Sequence, residues 1–315
     1  MSIAQQLAKE LVCPDCHSAL ETEGSALVCA PCGKAFSKTA SGYYDFTSGS
    51  GLGQLDTTSD EYACDQETGK ERFFRQFLGP WLDREEAGTI LEVGTGVGME
   101  IGYLNEQGHL AYGVDVPCLG PHWDRLARSP ARFFFSDGAR MPFRDGFFDA
   151  VFTLGVIEHI GTVVGHYTLC GDYEASREAF AAELVRVTKP GGRILVTCPN
   201  KRFPIDLAHE PTDSATPPRA MRWRRWFYNR SGMTIHLPFG RYHLLSWGEL
   251  RRLFVTQAGA SAIATLPMKG YFAFDRFGAG PLGALRNLLT AYVDNMPALL
   301  RTSPANPFLV VEVRR

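Results

Sequence analysis

The 315-residue sequence lacks the features that mark several large classes of protein. It has no unbroken apolar run near the roughly 18 residues that a membrane-spanning helix needs. Lysine and arginine (32) are balanced by aspartate and glutamate (34), so the overall basic excess typical of nucleic-acid-binding proteins is absent. Residues 1–6 carry neither a basic flank nor an apolar core, so we expect no secretory signal and a cytoplasmic protein. Hydrophobic residues make up 45% of the chain, which indicates a folded globular protein.

The cysteines are unevenly distributed. Cys13 and Cys16, then Cys29 and Cys32, form two CxxC pairs with twelve residues between them. Each pair brings two thiolates together in a tight turn, and a hairpin would bring all four around one point. Zn²⁺ takes four thiolates tetrahedrally in structural sites, whereas a redox CxxC would be a single pair beside a βαβ pattern. The sequence therefore predicts a structural zinc ribbon over residues 1–48.

The ribbon pattern continues to an aromatic-rich end at residues 42–46. In this it resembles short zinc ribbons at the N-terminus of some methyltransferases, and also small zinc-ribbon activator proteins that partner methyltransferases. The second resemblance implies a protein partner that docks through the ribbon. Residues 49–88 follow as a Gly/Ser-rich linker, able to order as a lid near residues 48–62, and then a helix with apolar residues at spacings of three and four.

A nucleotide-binding pattern begins at residue 89. An apolar strand (89–93) runs into a GxGxG turn (94–98), a helix, and a second strand that ends in Asp115. The glycines allow close approach of the backbone to a ligand, and a carboxylate at Asp115 can accept both hydroxyls of a ribose. The dinucleotide fingerprint requires a glycine at the position of Met99, so the spacing disfavours NAD.

Three further segments follow in order. A third strand (133–135) ends near Asp137, a fourth (147–153) leads to the sequence Val156–Ile160, and a helix ends at a Pro-Gly-Gly turn before a fifth strand (193–198). This ordered set resembles class I S-adenosylmethionine-dependent methyltransferases over about residues 89–200. The resemblance implies an α/β fold with a doubly wound, seven-stranded, mostly parallel sheet in a domain spanning residues 89–315. Helical cap inserts are expected at about 200–245 and 268–306.

The same resemblance implies roles for individual residues in holding S-adenosylmethionine. Gly94, Gly96 and Gly98 would line the methionine end of the cofactor, with Glu92 nearby, and Asp115 would hold the ribose. Asp137, Gly138 and Ala139 would hold the adenine. Leu154 and Gly155 would pass under the ribose and sulfonium.

Methyl transfer to a phenol or an acidic carbon needs a general base, whereas transfer to a carboxylate needs none. His159, His209 and His236 are the predicted catalytic residues, because His159 follows the fourth strand and the other two lie in the first cap insert. Glu158 and His159 are similar to a pair in metal-assisted quinone-pathway enzymes. Gly155 stands where those enzymes have a further acid, so we expect no catalytic metal.

Residues 219–230 combine five arginines with two tryptophans, a phenylalanine and a tyrosine. Such a segment can contact RNA, anionic lipid or an acidic substrate, or can be an amphipathic cap helix with solvated arginines.

The leading hypothesis for the whole chain is a methyltransferase that acts on a small aromatic or lipophilic acceptor, free or carrier-attached. An RNA or protein methyltransferase that docks through its ribbon, and a non-catalytic cofactor-binding partner, are the alternatives. The near-neutral charge disfavours RNA.

Overall fold

A computed structural model describes residues 9–47, 70–85, 87–163, 168–206, 209–211, 218–271 and 281–315. The predicted lid near residues 48–62 lies entirely outside the described residues.

The N-terminal unit is a small three-stranded antiparallel sheet of β1 (Glu21–Glu23), β2 (Ala26–Cys29) and β3 (Lys34–Phe36). Its two CxxC turns close in the same way, because the amide of His17 donates to the Cys13 carbonyl and the amide of Gly33 donates to the Cys29 carbonyl. Both turn residues have a positive φ, 56° at His17 and 65° at Gly33. The left-handed backbone lets each turn bring its two thiols together, as the ribbon prediction requires.

The predicted helix before the nucleotide-binding pattern is present in its described part. This helix, α1, has the segments Lys70–Phe73, Phe74–Leu78 and Gly79–Asp83, and the middle one is π-helical. Phe77, Leu78, Trp81 and Leu82 are buried, so the helix packs against the main domain along one face.

A seven-stranded sheet forms the main domain and confirms the predicted fold class. The strands are β4 (Thr89–Val93), β5 (Leu110–Asp115), β6 (Phe133–Phe135), β7 (Phe148–Leu154), β8 (Thr188–Pro199), β11 (Ala262–Thr265) and β12 (Phe308–Arg314). Their order in the sheet is β11-β12-β8-β7-β4-β5-β6, in which only the pairs β11–β12 and β12–β8 are antiparallel.

Helices connect these strands, and one short strand pair is inserted between them. The pair is β9 (Ile205–Asp206) and β10 (Thr234–Ile235), which are antiparallel. The helices are α2 (Met99–Glu106), α3 (Gly120–Arg125), α4 (Tyr173–Val187), α5 (Pro218–Ser231), α6 (Trp247–Arg251, continued as a π-helix over Arg252–Gln257) and α7 (Pro281–Asp294). The predicted N-cap Ser246 begins α6 with a capping box to Glu249.

The strand order fixes where a ligand can bind. The chain passes from β4 to β5 and β6 on one side, whereas β7 and β8 lie on the other side of β4. The crevice at the carboxyl end of such a reversal is the usual ligand site in open α/β sheets. It is bordered here by the glycine turn after β4, Asp115 at the end of β5 and Gly155 after β7.

The N-terminal unit packs on the edge of the main sheet. Phe46 donates its amide to the Phe135 carbonyl (2.8 Å), and the Phe135 amide donates to the Tyr44 carbonyl (3.0 Å). Cys13, Phe36, Phe134 and other buried residues of both units belong to one hydrophobic cluster. The ribbon thus covers the outer edge of β6, which would otherwise be an unpaired sheet edge. No helix within the described ranges is long and apolar enough to span a membrane.

Candidate active site

The turn after β4 packs its backbone closely against neighbouring side chains, which glycine makes possible. Gly94, Gly96 and Gly98 all have positive φ values, 77°, 54° and 74°. A Cβ on Gly94 would lie 2.3 Å from Val156 Cγ2, and a Cβ on Gly98 would lie 2.3 Å from Phe133 Cε1. Both positions therefore require glycine for conformation and for space.

Asp115 anchors this turn from the end of β5. Its Oδ2 accepts the amide of Gly96 (2.6 Å) and its Oδ1 accepts the amide of Val116 (2.7 Å). Burial raises the pKa of Asp115 to about 6, although both amides favour the charged form. Glu92, also buried, accepts the hydroxyl of Thr95 (2.8 Å) in the same turn.

The predicted adenine loop is a tight turn rather than a helix N-terminus. Asp137 Oδ1 accepts the amide of Ala139 (2.9 Å), as in an Asx turn. A Cβ on Gly138 would lie 2.7 Å from Phe180 Cε2, so the loop packs closely on α4. Arg140 lies between this loop and the ribbon, with one guanidinium nitrogen 3.5 Å from Asp137 Oδ2 and another 3.3 Å from Asp15 Oδ1.

The end of β7 forms the other wall of the crevice. Gly155 has a φ of 68° and donates its amide to the Thr197 carbonyl (3.0 Å). The Tyr271 hydroxyl donates to the Thr197 hydroxyl (2.8 Å) beside it. The rings of Phe73 and Phe77 from α1 contact the Tyr271 ring edge to face, at 5.5 and 5.2 Å between centroids. Two segments distant in the sequence, α1 and the region of Tyr271, therefore form one aromatic cluster close to Thr197.

Glu158, His159 and His209 come together just beyond Gly155. Their nearest ligand-type atoms lie within 4.8 Å of one another, and a Cβ on Gly155 would be 3.6 Å from Glu158 Oε1. Glu158 is buried, and its Oε2 has no hydrogen-bond partner among the described residues. Burial raises the pKa of Glu158 to about 7. Burial and the nearby His209 lower the pKa of His159 to about 4, although part of its side chain reaches solvent.

Asp206 orients His209 from β9. Its Oδ2 lies 2.9 Å from His209 Nδ1, and both side chains are buried. Burial by itself would lower the pKa of His209, but the hydrogen bond and the charge of Asp206 outweigh it and raise that pKa. The same carboxylate oxygen is 3.8 Å from His243 Nε2, and burial together with His209 lowers the pKa of His243 to about 2. His209 is therefore the histidine of this group on which positive charge is best stabilised.

Arg177 fixes the two segments that carry these side chains. This buried residue of α4 donates to the carbonyls of Glu158 (3.3 Å), Ile160 (3.1 Å) and His243 (2.6 Å).

The third predicted histidine, His236, has its Nε2 3.1 Å from the Lys201 carbonyl and stacks on Tyr242. The structure thus places His159 and His209 in contact and gives His236 a different set of neighbours.

The four predicted zinc ligands converge. The thiols of Cys13, Cys16, Cys29 and Cys32 lie within 4.8 Å of one another, with 4.0 Å between Cys13 and Cys32 and 3.4 Å between Cys16 and Cys29. A tetrahedral site with Zn–S bonds of about 2.3 Å has sulfurs about 3.8 Å apart, so this donor set fits zinc.

Sequence reasoning did not assign a role to Asp206 or Arg177. Asp206 stands three residues before His209, a spacing that allows contact but is common in any sequence. Arg177 and Tyr271 reach the site from segments that are distant in the chain, and a single sequence carries no signal of that contact.

Known proteins resemble parts of this chain. A family model described as a methyltransferase domain matches residues 91–196. The mouse protein named "Probable tRNA methyltransferase 9B" is 29% identical over 173 residues, which is 53% of this chain and 32% of that protein. An uncharacterized protein of Mycobacterium tuberculosis (strain H37Rv) is 27% identical over 161 residues, 44% of this chain and 39% of its own length. The chain thus spans about a third of the length of the curated relatives it matches.

Solved structures of similar shape include a protein from Pyrococcus horikoshii OT3, with a TM-score of 0.44 and 16% identity over 82% of this chain and 93% of that one. Another is phosphoethanolamine N-methyltransferase 2 of Haemonchus contortus in complex with S-adenosyl-L-methionine. Its TM-score is 0.39 with 15% identity, over 72% of this chain and 48% of that one.

Proposed function

Because this chain contains a class I methyltransferase domain, we propose that it transfers the methyl group of S-adenosylmethionine to a hydroxyl group of a small aromatic or lipophilic acceptor. The observation that carries the proposal is the unpartnered, buried Oε2 of Glu158, which lies with His159 and His209 beside Gly155. A polar group of this kind, next to the crevice where the cofactor would bind, calls for a bound partner that can donate a hydrogen bond.

The residues around the crevice fit the cofactor. The glycines of the turn have no side chains, so the backbone there can approach a ligand closely, and each carboxylate oxygen of Asp115 keeps a second lone pair for a ribose hydroxyl. Asp137, with the amides of Gly138 and Ala139, would hold the adenine, and Leu154 and Gly155 would lie under the ribose and sulfonium. When bound, the cofactor supplies a methyl group that its sulfonium charge has already activated.

The enzyme's own residues then position and deprotonate the acceptor. His159, which reaches solvent and is neutral at pH 7, would hydrogen-bond the acceptor hydroxyl. His209 would accept the hydroxyl proton on Nε2, since Nδ1 is held by Asp206. Asp206 stabilises the imidazolium that forms through its hydrogen bond and charge, and Glu158 adds to this when it is ionised. His236 and Arg177 hold the supporting segments in place.

The aromatic cluster favours a flat or lipophilic acceptor. Phe73 and Phe77 pack on Tyr271, whose hydroxyl bonds Thr197, and the Thr197 carbonyl accepts the Gly155 amide, so aromatic rings lie near that side of the crevice. A sugar or a free amino acid would leave polar groups unpaired against these rings, whereas an aromatic ring or an alkyl chain would pack on them.

The N-terminal thiols would hold one structural Zn²⁺. Because the ribbon shares its core with β6, the metal would stabilise the edge of the main sheet rather than take part in chemistry. A further protein could bind the exposed side of the ribbon. Reduced thiols and a thiolate-bound zinc suit the reducing cytosol, where we place the protein.

The experiment that tests this function is a methylation assay with S-adenosylmethionine that carries a radiolabelled methyl group. The purified protein is given phenols and hydroxylated lipids, bulk tRNA, or a protein extract, each with Glu158→Gln and His209→Ala as paired variants. We expect label in the organic-extractable small-molecule fraction and loss of that label in both variants. Label in tRNA or protein, at a rate that these substitutions do not change, would overturn the proposal.

A further inference from the structure

The segment between residues 214 and 248 has a charge unlike that of the whole chain. It contains six arginines and no aspartate or glutamate, although the chain carries a net charge of −2. Helix α5 (Pro218–Ser231) holds five of the arginines, and the mechanism proposed above uses none of them. The function of this basic insert is therefore open.

The outward side of α5 combines this charge with exposed aromatic surface. Arg222, Arg225 and Arg230 are exposed, and Trp223 and Trp226 keep 50% and 55% of their surface accessible. At about 100° per residue these five side chains fall within an arc of roughly 160°. Among the described residues, no acidic side chain forms an ion pair with Arg222 or Arg225.

Two more apolar side chains are exposed in the same insert, directly after β10. Leu237 is 59% exposed and Phe239 is 64% exposed. Single exposed apolar residues are ordinary, but four large ones within 17 residues of sequence, next to unpaired arginines, point to an interaction surface.

We propose that the outward side of α5 docks on the surface of an anionic lipid membrane, with the exposed Leu237 and Phe239 of the same insert as further apolar contacts. Arginines attract anionic headgroups, and tryptophan, leucine and phenylalanine insert into the boundary between headgroups and acyl chains. The helix lies on the membrane surface; it does not span the bilayer.

A membrane fits this face better than RNA does. Sequence-tolerant RNA binding uses free aromatic faces on which bases stack. Here Phe227 stacks on Trp223 (19° between ring planes), and the Arg230 guanidinium covers the Trp226 ring at 5.5 Å. Leu237 offers no face for stacking. A symmetric contact with a second copy is also disfavoured, because it would bring arginines against arginines.

Docking at this face would bring the candidate active site close to the membrane. Helix α5 is inserted between β9 and β10, whose pairing sets Asp206 opposite Thr234. The Thr234 hydroxyl donates to the His209 carbonyl (2.6 Å), so the base of the helix is attached to the segment that carries the proposed catalytic dyad. A lipophilic acceptor could then enter from the bilayer.

Co-sedimentation of the full-length protein with vesicles tests the proposal. One set of vesicles is phosphatidylcholine alone and the other contains phosphatidylcholine with phosphatidylglycerol. We expect binding to the anionic set only, and weaker binding as salt rises. The double variants Arg222→Glu/Arg225→Glu and Trp223→Ala/Trp226→Ala should each lower the partition coefficient by roughly tenfold or more. Arg251→Glu/Arg252→Glu, which reverses two exposed arginines on α6, is the charge-matched control and should bind as the wild type does.

Two results would overturn the proposal. One is equal sedimentation of the wild type and both α5 variants with anionic vesicles. The other is tight binding of a single-stranded RNA oligonucleotide, lost in the α5 variants, without binding to vesicles. Calorimetric binding of S-adenosylmethionine by each α5 variant checks its fold. It also separates the outcomes, because loss of vesicle binding with intact cofactor binding leaves the proposed methyl transfer unaffected.

Discussion

Asp206 and His209 form a buried carboxylate–imidazole pair with 2.9 Å between Oδ2 and Nδ1. Asp206 lies on the short strand β9, and His209 contacts His159 from the main domain, with 5.1 Å between ring centroids. The pair therefore connects the cap insert to the loop after β7. Its geometry holds Nδ1 of His209 against Asp206 and raises the pKa of that ring.

The first prediction concerns this pair and the pH dependence of the reaction. His209 acts as a base only when neutral, so kcat/KM should rise with pH as the ring loses its proton. Replacing Asp206 with Asn removes the charge that raises the pKa of His209, so the rising limb should move to lower pH. The rate at its plateau should fall by about 10²–10⁴, the usual contribution of a positioned base. A pH profile of Asp206→Asn with its limb unchanged would show that His209 is not the base.

The second prediction concerns Asp115 and the pH dependence of cofactor binding. Its folded pKa of about 6 is above the usual value, because burial disfavours the charged form. Ribose hydroxyls donate to the carboxylate, so binding favours the ionised form. Affinity for S-adenosylmethionine should therefore fall as pH drops below about 6, by up to tenfold per pH unit, as for any single ionisation. Asp115→Asn should bind S-adenosylmethionine weakly, and its affinity should not change with pH between 5 and 8, which calorimetry can measure. If its affinity changes with pH as that of the wild type does, another group causes the pH dependence.

The third prediction tests whether Gly94 is required only for its positive φ or also because a side chain there would clash with a neighbour. Gly94→Ala and Gly108→Ala both force a side chain into a left-handed backbone, which costs roughly 1–2 kcal/mol. Only the Gly94 substitution also meets a neighbour, Val156 Cγ2 at 2.3 Å, whereas nothing lies within 4 Å at Gly108. Urea unfolding should find Gly94→Ala less stable than Gly108→Ala by a further 1–3 kcal/mol or so, as in overpacked cores. Equal losses would mean that the turn has room for a methyl group.

The fourth prediction concerns metal content. Protein purified without chelator should contain one zinc per chain, and Cys29→Ser should lose it, whereas Cys170→Ser should keep it. The ribbon shares a core with β6, so loss of zinc should lower the single unfolding midpoint of the chain, by about 2–4 °C for each kcal/mol lost. Two metals per chain would point to an ion bound at His209, either with Glu158 and His159 or with Asp206 and His243, and would contradict the role of His209 as base.

Local patterns in the sequence were enough to predict much of the fold. The alternation of apolar strands, glycine turns and helices gave the parallel part of the sheet, because each strand and turn is specified by neighbouring residues. The order of the segments, rather than any one motif, identified the fold class.

The candidate acceptor site was less predictable because its parts meet only in three dimensions. His159 and His209 were singled out separately, but their contact depends on how the insert after β8 folds back. Tyr271 reaches Thr197 across 74 residues of sequence. The pairing of residues 44–46 with the edge of β6 likewise depends on the fold of both units. These contacts depend on the topology of the whole chain, which no local pattern encodes.

A calorimetric titration tests most directly whether the crevice after β4, β5 and β7 binds S-adenosylmethionine through Asp115. One molecule should bind per chain. Asp115→Ala should lose about 1.5–3 kcal/mol of binding free energy, the scale of charged hydrogen bonds. Asp83→Ala, which removes an exposed acid at the end of α1, should bind as the wild type does. No binding by the wild type, or an affinity of Asp115→Ala equal to that of the wild type, would contradict the account.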